Sequence, residues 1–532
     1  MNTFSENTGT APRDATKPLL LGELPIFRSV PTKLALALFS AFLLAMSLTA
    51  LDFGWLAWFA LVPLMIACHD STPTRAAALG FASGLIAAYG IYHWIFIIPS
   101  FTFVHSLMGG TYLALYPCLW CLGVALLTRR KVSLVFAAPA LWVVLDYCRA
   151  HAGFLAFPWA TLAHTQHNNL AALQVASITG EYGVSYLVVL GNAAVAECFM
   201  ERKARRVALV GSVIVLVHAL GLIALYRGHD GPSLRVAAIQ PDVTDEQRSS
   251  PAGREAALVT HERLTRLAAQ QKPDLIVWPE TAVPGNIAVD SPMRRRLEAL
   301  SRTVNVPLVL GVSEVEKFRM GEIKPGSVRR AYNLAYLLLP NQSPGDPYRK
   351  RALVPFAEYV PLEGVIEWPK WFVRQSYQTV TGDDPHVFML PDGTKIGAII
   401  CWENLFTSLV RESVRGGAQI IVQLTNDASF GPTEEPWQHN LASVLRAVEN
   451  RVPIVTASNT GPSQIVDAYG RSIASVGRIF VEGVAAGEVR VRRSETIYTR
   501  FGDVFVWLVA AALIVRIAGI AADGFARPRS RM

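Results

Sequence analysis

Eight apolar stretches constrain this chain more than any other feature: residues near 34–50, 53–68, 76–98, 106–127, 133–149, 180–199, 206–226 and 503–522. A hydrocarbon layer about 30 Å thick is crossed by roughly 20 residues of helix and tolerates no unpaired backbone group, so these stretches are expected to be transmembrane helices. A long polar block separates the last two. Of 532 residues, 52% are hydrophobic yet 17% are charged, and the mean hydropathy is +0.31. That is too apolar for one soluble enzyme and too polar in the middle for a plain transporter. The expected division is a tail, 1–33; seven transmembrane helices, 34–229; an inserted domain, 230–495; and an eighth helix with a short tail, 496–532.

Orientation follows from where short loops keep Lys and Arg. One side collects Arg13, Lys17, Arg28, Lys33, Arg75, Arg129, Arg130, Lys131, Arg202, Lys203, Arg205, Arg206, Arg527, Arg529 and Arg531. The other side has almost none. Both termini are therefore expected in the cytoplasm, and the inserted domain is expected outside, in the periplasm or its equivalent. Residues 1–33 lack a small-residue cleavage site before a short apolar core and read as a tail rather than a signal peptide. The net charge of +8 lies mostly in these flanks, which fits anionic lipid and topology and gives no nucleic-acid signature.

Within 230–495, strand-like runs at 234–240, 275–278, 306–312, 333–339, 396–400, 420–424 and 454–457 alternate with helical patterns such as 252–271 and 437–450. This predicts an α/β or layered α-β-β-α domain. Cys401 is the only one of six cysteines outside the apolar stretches. It ends the run 394–400, where a strand hands over to a helix. Two other strand ends carry reactive groups, Trp278-Pro279-Glu280 and Tyr348-Arg349-Lys350. Acyl transfer needs these types: a thiolate to attack a carbonyl, a carboxylate to move its proton, and a cation for the developing oxyanion. An ordinary Cys has a pKa near 8.5, and a neighbouring Lys favours the thiolate.

The ordered segments WPE, YRK and CWEN resemble the Glu, Lys and Cys triad of the nitrilase superfamily. Further segments match: LVPFAEYVPL (353–362), LTNDASFG (424–431), QHNLASVLRAVENRVPIV (438–455) and SNTGPSQIVDAYGR (458–471). Together with the membrane helices, and with Phe157-Pro158-Trp159 and 180–185 among them, residues 34–522 are similar to the apolipoprotein N-acyltransferase family. That resemblance implies a nitrilase-like extracytoplasmic domain on a multi-pass bundle in the bacterial inner membrane. It implies Glu280 as general base and acid, Lys350 as oxyanion partner and Cys401 as nucleophile, with Glu358, Trp402 and Glu403 in support. It further implies a phospholipid acyl donor, a Cys thioester, and the α-amine of a diacylglyceryl-cysteine on an apolipoprotein as acceptor, with no cofactor and no metal.

Some positions depart from the family pattern. Gln240-Pro241-Asp242-Val243 leads into 244–248 where Gln-Gly-Asn and a nearby Trp are usual, Ala357 replaces Gly, and Trp402 replaces Tyr. These changes leave room for a different amine acceptor, or for a membrane-tethered amidase in which water resolves the acyl-enzyme. A non-catalytic scaffold would show a lost Glu, Lys or Cys. Cys118 and Cys121 form C-x-x-C inside an apolar span, without a second pair at zinc spacing. His151, His164 and His167 read as polar loop residues at the membrane exit, and 368–372 (WPKWF), with Lys370 and Arg374, as a lid dipping into the interface.

Overall fold

The computed structural model describes residues 29–98, 101–201, 203–228, 230–316, 329–369, 373, 377–493 and 495–526. Each apolar stretch is helical. The longer helices of the first half are α1 (Val30–Met46), α2 (Val62–Cys68), α3 (Pro73–Ile91), α4 (Phe103–Arg129), α5 (Leu134–Ala150), α6 (Glu181–Glu201) and α7 (Ala204–Arg227). Among the described residues, five helices are long and apolar enough to cross a membrane: α3, α4, α6, α7 and a C-terminal helix that begins at Val504. The stretch 53–68 is not one rod: short turns over Gly54–Leu56 and Ala57–Ala60 precede α2, which restarts with Pro63 in its first turn. Proline is tolerated there because the first N–H groups of a helix have no internal acceptor.

Small residues set the packing of the bundle. A Cβ on Gly80 or Gly84 of α3 would collide with Pro117 of α4, so the two backbones approach closely. Cys118 and Cys121 lie inside α4 as free thiols. Helix α6 is mostly buried, whereas α7 and the C-terminal helix expose apolar side chains over most of their surface, as lipid-facing helices do.

The inserted domain is a four-layer α-β-β-α sandwich. Its first sheet contains β1 (Ser233–Gln240), β2 (Leu275–Val277), β3 (Val283–Pro284), β4 (Leu308–Val315), β5 (Arg329–Leu338), β6 (Tyr348–Arg349) and β7 (Tyr377–Thr379). Its second contains β8 (Val387–Met389), β9 (Lys395–Ile400), β10 (Ile420–Thr425), β11 (Ile454–Ser458), β12 (Gln464–Val466) and β13 (Ser472–Ser475). The last strand, β14 (Gly483–Arg490), returns to pair antiparallel with β1 along its whole length. The sheets run β14-β1-β2-β4-β5-β6, with β3 on β4 and β7 on β5, and β13-β12-β11-β10-β9-β8.

Alternating residues explain the layers. Val236, Ala238, Val277 and Val309 of the first sheet meet Ile396, Ala398, Ile400, Val422 and Val455 of the second. Burying each Val or Ile contributes about 1.5–3 kcal/mol. The opposite faces take helices: α8 (Pro251–Ala269) and α9 (Pro292–Val304) cover the first sheet, and α10 (Thr407–Arg415) and α11 (Glu435–Asn450) the second. Helix α11 is buried on nearly every side because its outer face packs on Ala163, Leu173, Ala176 and Val184 of the first half. The C-terminal helix is α12 (Val504–Ala526).

Candidate active site

The three strand ends picked out in the sequence converge on one edge of the sandwich. After β2, buried Trp278 donates its indole N–H to Thr265 Oγ1 at 2.9 Å, and the chain turns through Pro279 and Glu280 to Thr281 at φ 52°. Gly311 on neighbouring β4 makes that turn possible, since a Cβ there would run into the Pro279 carbonyl. After β6, the Lys350 N–H donates to Asn333 O at 2.9 Å. Cys401, directly after β9, stands at φ 56°, and a tight turn follows over Cys401–Leu405. A left-handed conformation at a residue with a Cβ costs about 1 kcal/mol or more, so the surroundings must impose it.

Glu403 imposes it. This fully buried carboxylate accepts from Ile400 N at 2.7 Å, Arg351 N at 2.5 Å, Ala352 N at 2.9 Å and Tyr348 Oη at 2.8 Å. It thereby staples the Cys401 turn to the strand that presents Lys350. Burial pushes the Glu403 carboxyl up while the three backbone N–H groups pull it down, with a net rise. Trp402 donates to Ala352 O at 2.7 Å, a second tie between the same segments.

Lys350 lies between two carboxylates. Its Nζ is 3.0 Å from Glu358 Oε1 and 3.5 Å from Glu280 Oε1, and only 2% of its side chain is exposed. Glu358 Oε2 also accepts from Val354 N at 2.7 Å, and Glu280 Oε1 accepts from Asn333 Nδ2 at 2.6 Å. Burial acts to lower the Lys350 ammonium, but Glu358, Cys401 and Glu280 carry it well above its ordinary value. It is a fixed cation. Glu280 is raised, chiefly by burial and with help from Glu358, against Lys350 and Asn333.

Lys350 does favour the thiolate of the half-buried Cys401, as expected, but it is not the dominant influence. Desolvation and the charge of Glu280 outweigh the lysine and push the thiol well above its usual value. The resting group is a neutral thiol, and its activation requires a base. Cys401 packs against the inter-sheet core and against a second apolar cluster that joins Trp402, Leu405 and Ala442 of the sandwich to Trp94, Trp159 and other residues of the membrane half.

Several residues at this edge carried no signal in the sequence. Asn333 sits in the middle of β5 and orients Glu280. Arg248, in the unusual stretch 240–248, donates to Thr281 Oγ1 at 2.6 Å and feels the Glu280 charge. His164 is buried rather than solvated at the membrane exit: its Nε2 is 3.5 Å from Glu181 Oε2, and burial lowers its pKa. Of the lid segment, Trp368 donates to Pro361 O at 2.7 Å and packs edge-on to Phe356, while Lys370, Trp371, Phe372 and Arg374 lie outside the described residues.

Comparison with known proteins covers both halves. The family model described as carbon-nitrogen hydrolase matches residues 235–497, and the one described as apolipoprotein N-acyltransferase N-terminal domain matches 40–194. A relative named apolipoprotein N-acyltransferase, from Geobacter metallireducens, is 36% identical over 92% of this chain and 96% of its own. Relatives of the same name from Chlorobaculum tepidum and Methylococcus capsulatus are 29% and 31% identical, over 87% and 93% of this chain and 92% and 96% of theirs. With the Glu, Lys and Cys strand ends brought to one edge of a carbon-nitrogen hydrolase sandwich that packs on a helical bundle, the chain belongs to the apolipoprotein N-acyltransferase family.

Proposed function

We propose that this protein moves an acyl chain from a phospholipid, through a thioester on Cys401, to the α-amine of a diacylglyceryl-cysteine at the start of an apolipoprotein. The observation that carries the reading is the position of Cys401: it packs against the core of the sandwich and against a second apolar cluster that runs without a break from Trp402, Leu405 and Ala442 of the sandwich into the membrane half. A soluble amidase has no use for the second contact.

In the first half-reaction Glu280 takes the Cys401 proton as sulfur attacks the ester carbonyl. The carbonyl oxygen becomes an oxyanion beside the Lys350 ammonium. Collapse breaks the acyl C–O bond, the lysophospholipid oxygen recovers the proton from Glu280, and the thioester remains. In the second, the amine attacks the thioester, Glu280 accepts a proton from it, and the Cys401 sulfur leaves and is reprotonated. Glu358 holds Lys350, and Glu403 and Trp402 hold the turn that presents Cys401.

The membrane half supplies the setting. We read all eight helical stretches as crossings, with both termini cytoplasmic and 230–495 outside, on the alternation of basic loops. Among α1–α5 and residues 160–162 lies a cavity of about 100 Å³, lined mainly by side chains such as Leu44, Leu64, Ile91 and Leu162, which offers room for part of an acyl chain. Near the lid, Leu362, Val365 and Ile366 expose apolar surface, as a segment resting on lipid would.

Incubating the purified protein with phosphatidylethanolamine and a diacylated lipopeptide tests this. Intact mass is expected to show Cys401 gaining one acyl group and the peptide removing it with an equal gain of its own. An acyl-enzyme cleared only by water would mean an amidase, and transfer to a different amine would mean another acceptor.

A further inference from the structure

Behind the reactive edge lies a second buried cluster, formed by Asp427, Glu435 and His439. Asp427 follows β10, and Glu435 and His439 are one turn apart on α11. His439 Nδ1 is 3.0 Å from Asp427 Oδ1 and 3.8 Å from Glu435 Oε1, and one donor atom from each residue falls within 4.8 Å of the others. At most 2% of any of these side chains is exposed. Asp427 has further partners, since Thr425 Oγ1 donates to Oδ1 at 3.0 Å and Ser458 Oγ to Oδ2 at 3.3 Å. Among the described residues, neither carboxylate oxygen of Glu435 has a hydrogen-bond partner, and His439 Nε2 has none either.

Two carboxylates this close and this dry cost several kcal/mol apiece when left charged, and among the described residues no Lys or Arg pairs with either. A proton on Glu435 would cancel its charge but would still leave its other oxygen without a donor among the described residues. A divalent cation removes both penalties: two carboxylates and one neutral imidazole balance it and satisfy the idle oxygens. Donors bound to one zinc at about 2.0 Å in a tetrahedron are about 3.3 Å apart. The observed 3.0 and 3.8 Å bracket that separation. Thr425 Oγ1, 3.0 Å from Asp427 Oδ1 and 3.4 Å from His439 Nδ1, is placed to add a fourth oxygen.

We propose that Asp427, Glu435 and His439 bind one divalent transition-metal ion that ties the turn after β10 to α11, with zinc the best match to a closed nitrogen-and-oxygen site. The ion has a structural role and takes no part in the acyl transfer. It would also offset the Asp427 charge, which acts on both Cys401 and Glu280.

Tag-free full-length protein, purified in detergent without chelator, is to be measured by plasma mass spectrometry. About one equivalent of zinc or manganese per chain is expected, falling at least about tenfold in Glu435→Gln and in His439→Asn but not in Glu434→Gln, the neighbour that pairs with His93 instead. Should the first two variants fail to fold, wild type stripped by chelator is expected to gain thermal stability on addition of ZnCl2 or MnCl2. Under about a tenth of an equivalent in wild type, with no thermal gain from either salt, overturns the proposal. So does undiminished metal in folded Glu435→Gln and His439→Asn.

Discussion

Two buried sites in this protein have the same charge composition and opposite character. At the reactive edge, Lys350 lies between Glu280 and Glu358; at the junction of the sandwich with the membrane half, Arg446 lies between Glu181 and Glu449. Arg446 is fully buried, with Nη2 2.9 Å from Glu181 Oε2 and Nε 2.9 Å from Glu449 Oε2. The Glu181 N–H donates to Glu449 Oε1 at 2.7 Å, so α11 is riveted to the start of α6. On the same helix, directly before His439, Gln438 donates to Leu48 O and Ile91 O and accepts from the indoles of Trp94 and Trp159.

The reactive edge is built otherwise. Lys350 makes one 3.0 Å contact and one of 3.5 Å, and left-handed residues stand nearby at Thr281, Phe356 and Cys401. An ammonium is a compact point charge that can follow a developing oxyanion, whereas a guanidinium fork locks two partners in one plane. In the proposed mechanism the same two-to-one charge ratio therefore serves chemistry with Lys and rigidity with Arg.

The sharpest break of this comparison is Cys401→Ala. Loss of the proposed nucleophile is expected to lower acyl transfer by at least about 10⁴-fold while leaving the thermal denaturation temperature in detergent unchanged. Normal product from this variant would remove Cys401 from the mechanism. Next, Lys350→Arg keeps the charge but replaces the point cation by a fork too large for its buried slot. Turnover is expected to fall about 10²- to 10³-fold, read as kcat with a soluble thioester-forming ester. The converse exchange, Arg446→Lys, leaves at least one buried carboxylate without its partner. It is expected to cost about 2–4 kcal/mol of stability, seen as a lower denaturation temperature, with kcat per folded molecule changed much less. A variant that loses kcat but not stability would make the junction part of the catalytic apparatus.

The two sites were unequally legible in the sequence. Glu280 and Cys401 each follow a recognisable strand-like run within two residues, 275–278 and 394–400, whereas Lys350 follows a strand of only two residues and is marked by its Tyr348-Arg349-Lys350 motif. Glu358 and Glu403 sit within the same short segments. The Arg446 rivet joins residues 265 positions apart, and nothing local marks Glu181 as its partner. Asn333 is an ordinary polar residue inside β5, and Glu435 and His439 form an i, i+4 pair whose third member is on a different element. The broken stretch 53–68 and the short strands β12 and β13 were missed for a related reason: their conformations are fixed by packing on neighbours, while their own composition is nearly neutral.

The smallest effect bears on why the lysine has two carboxylates rather than one. In the proposed mechanism Glu280 must be ionised to take the Cys401 proton, and its carboxyl is raised by burial first and by the charge of Glu358, against the lowering effect of Lys350. Activity is thus expected to be present above this raised value and lost as pH falls through it, at a pH above the ordinary carboxylate range near 4.3. Glu358→Gln removes one raising cause, so the acid limb of kcat/KM against pH is expected to move to lower pH. Total activity also falls, because a single amide oxygen cannot accept from both Lys350 Nζ and Val354 N. The position of the limb separates the two contributions: a downward shift means Glu358 tunes Glu280 electrostatically, whereas lower activity with an unmoved limb means it only holds Lys350 in place, as Glu449 helps hold Arg446.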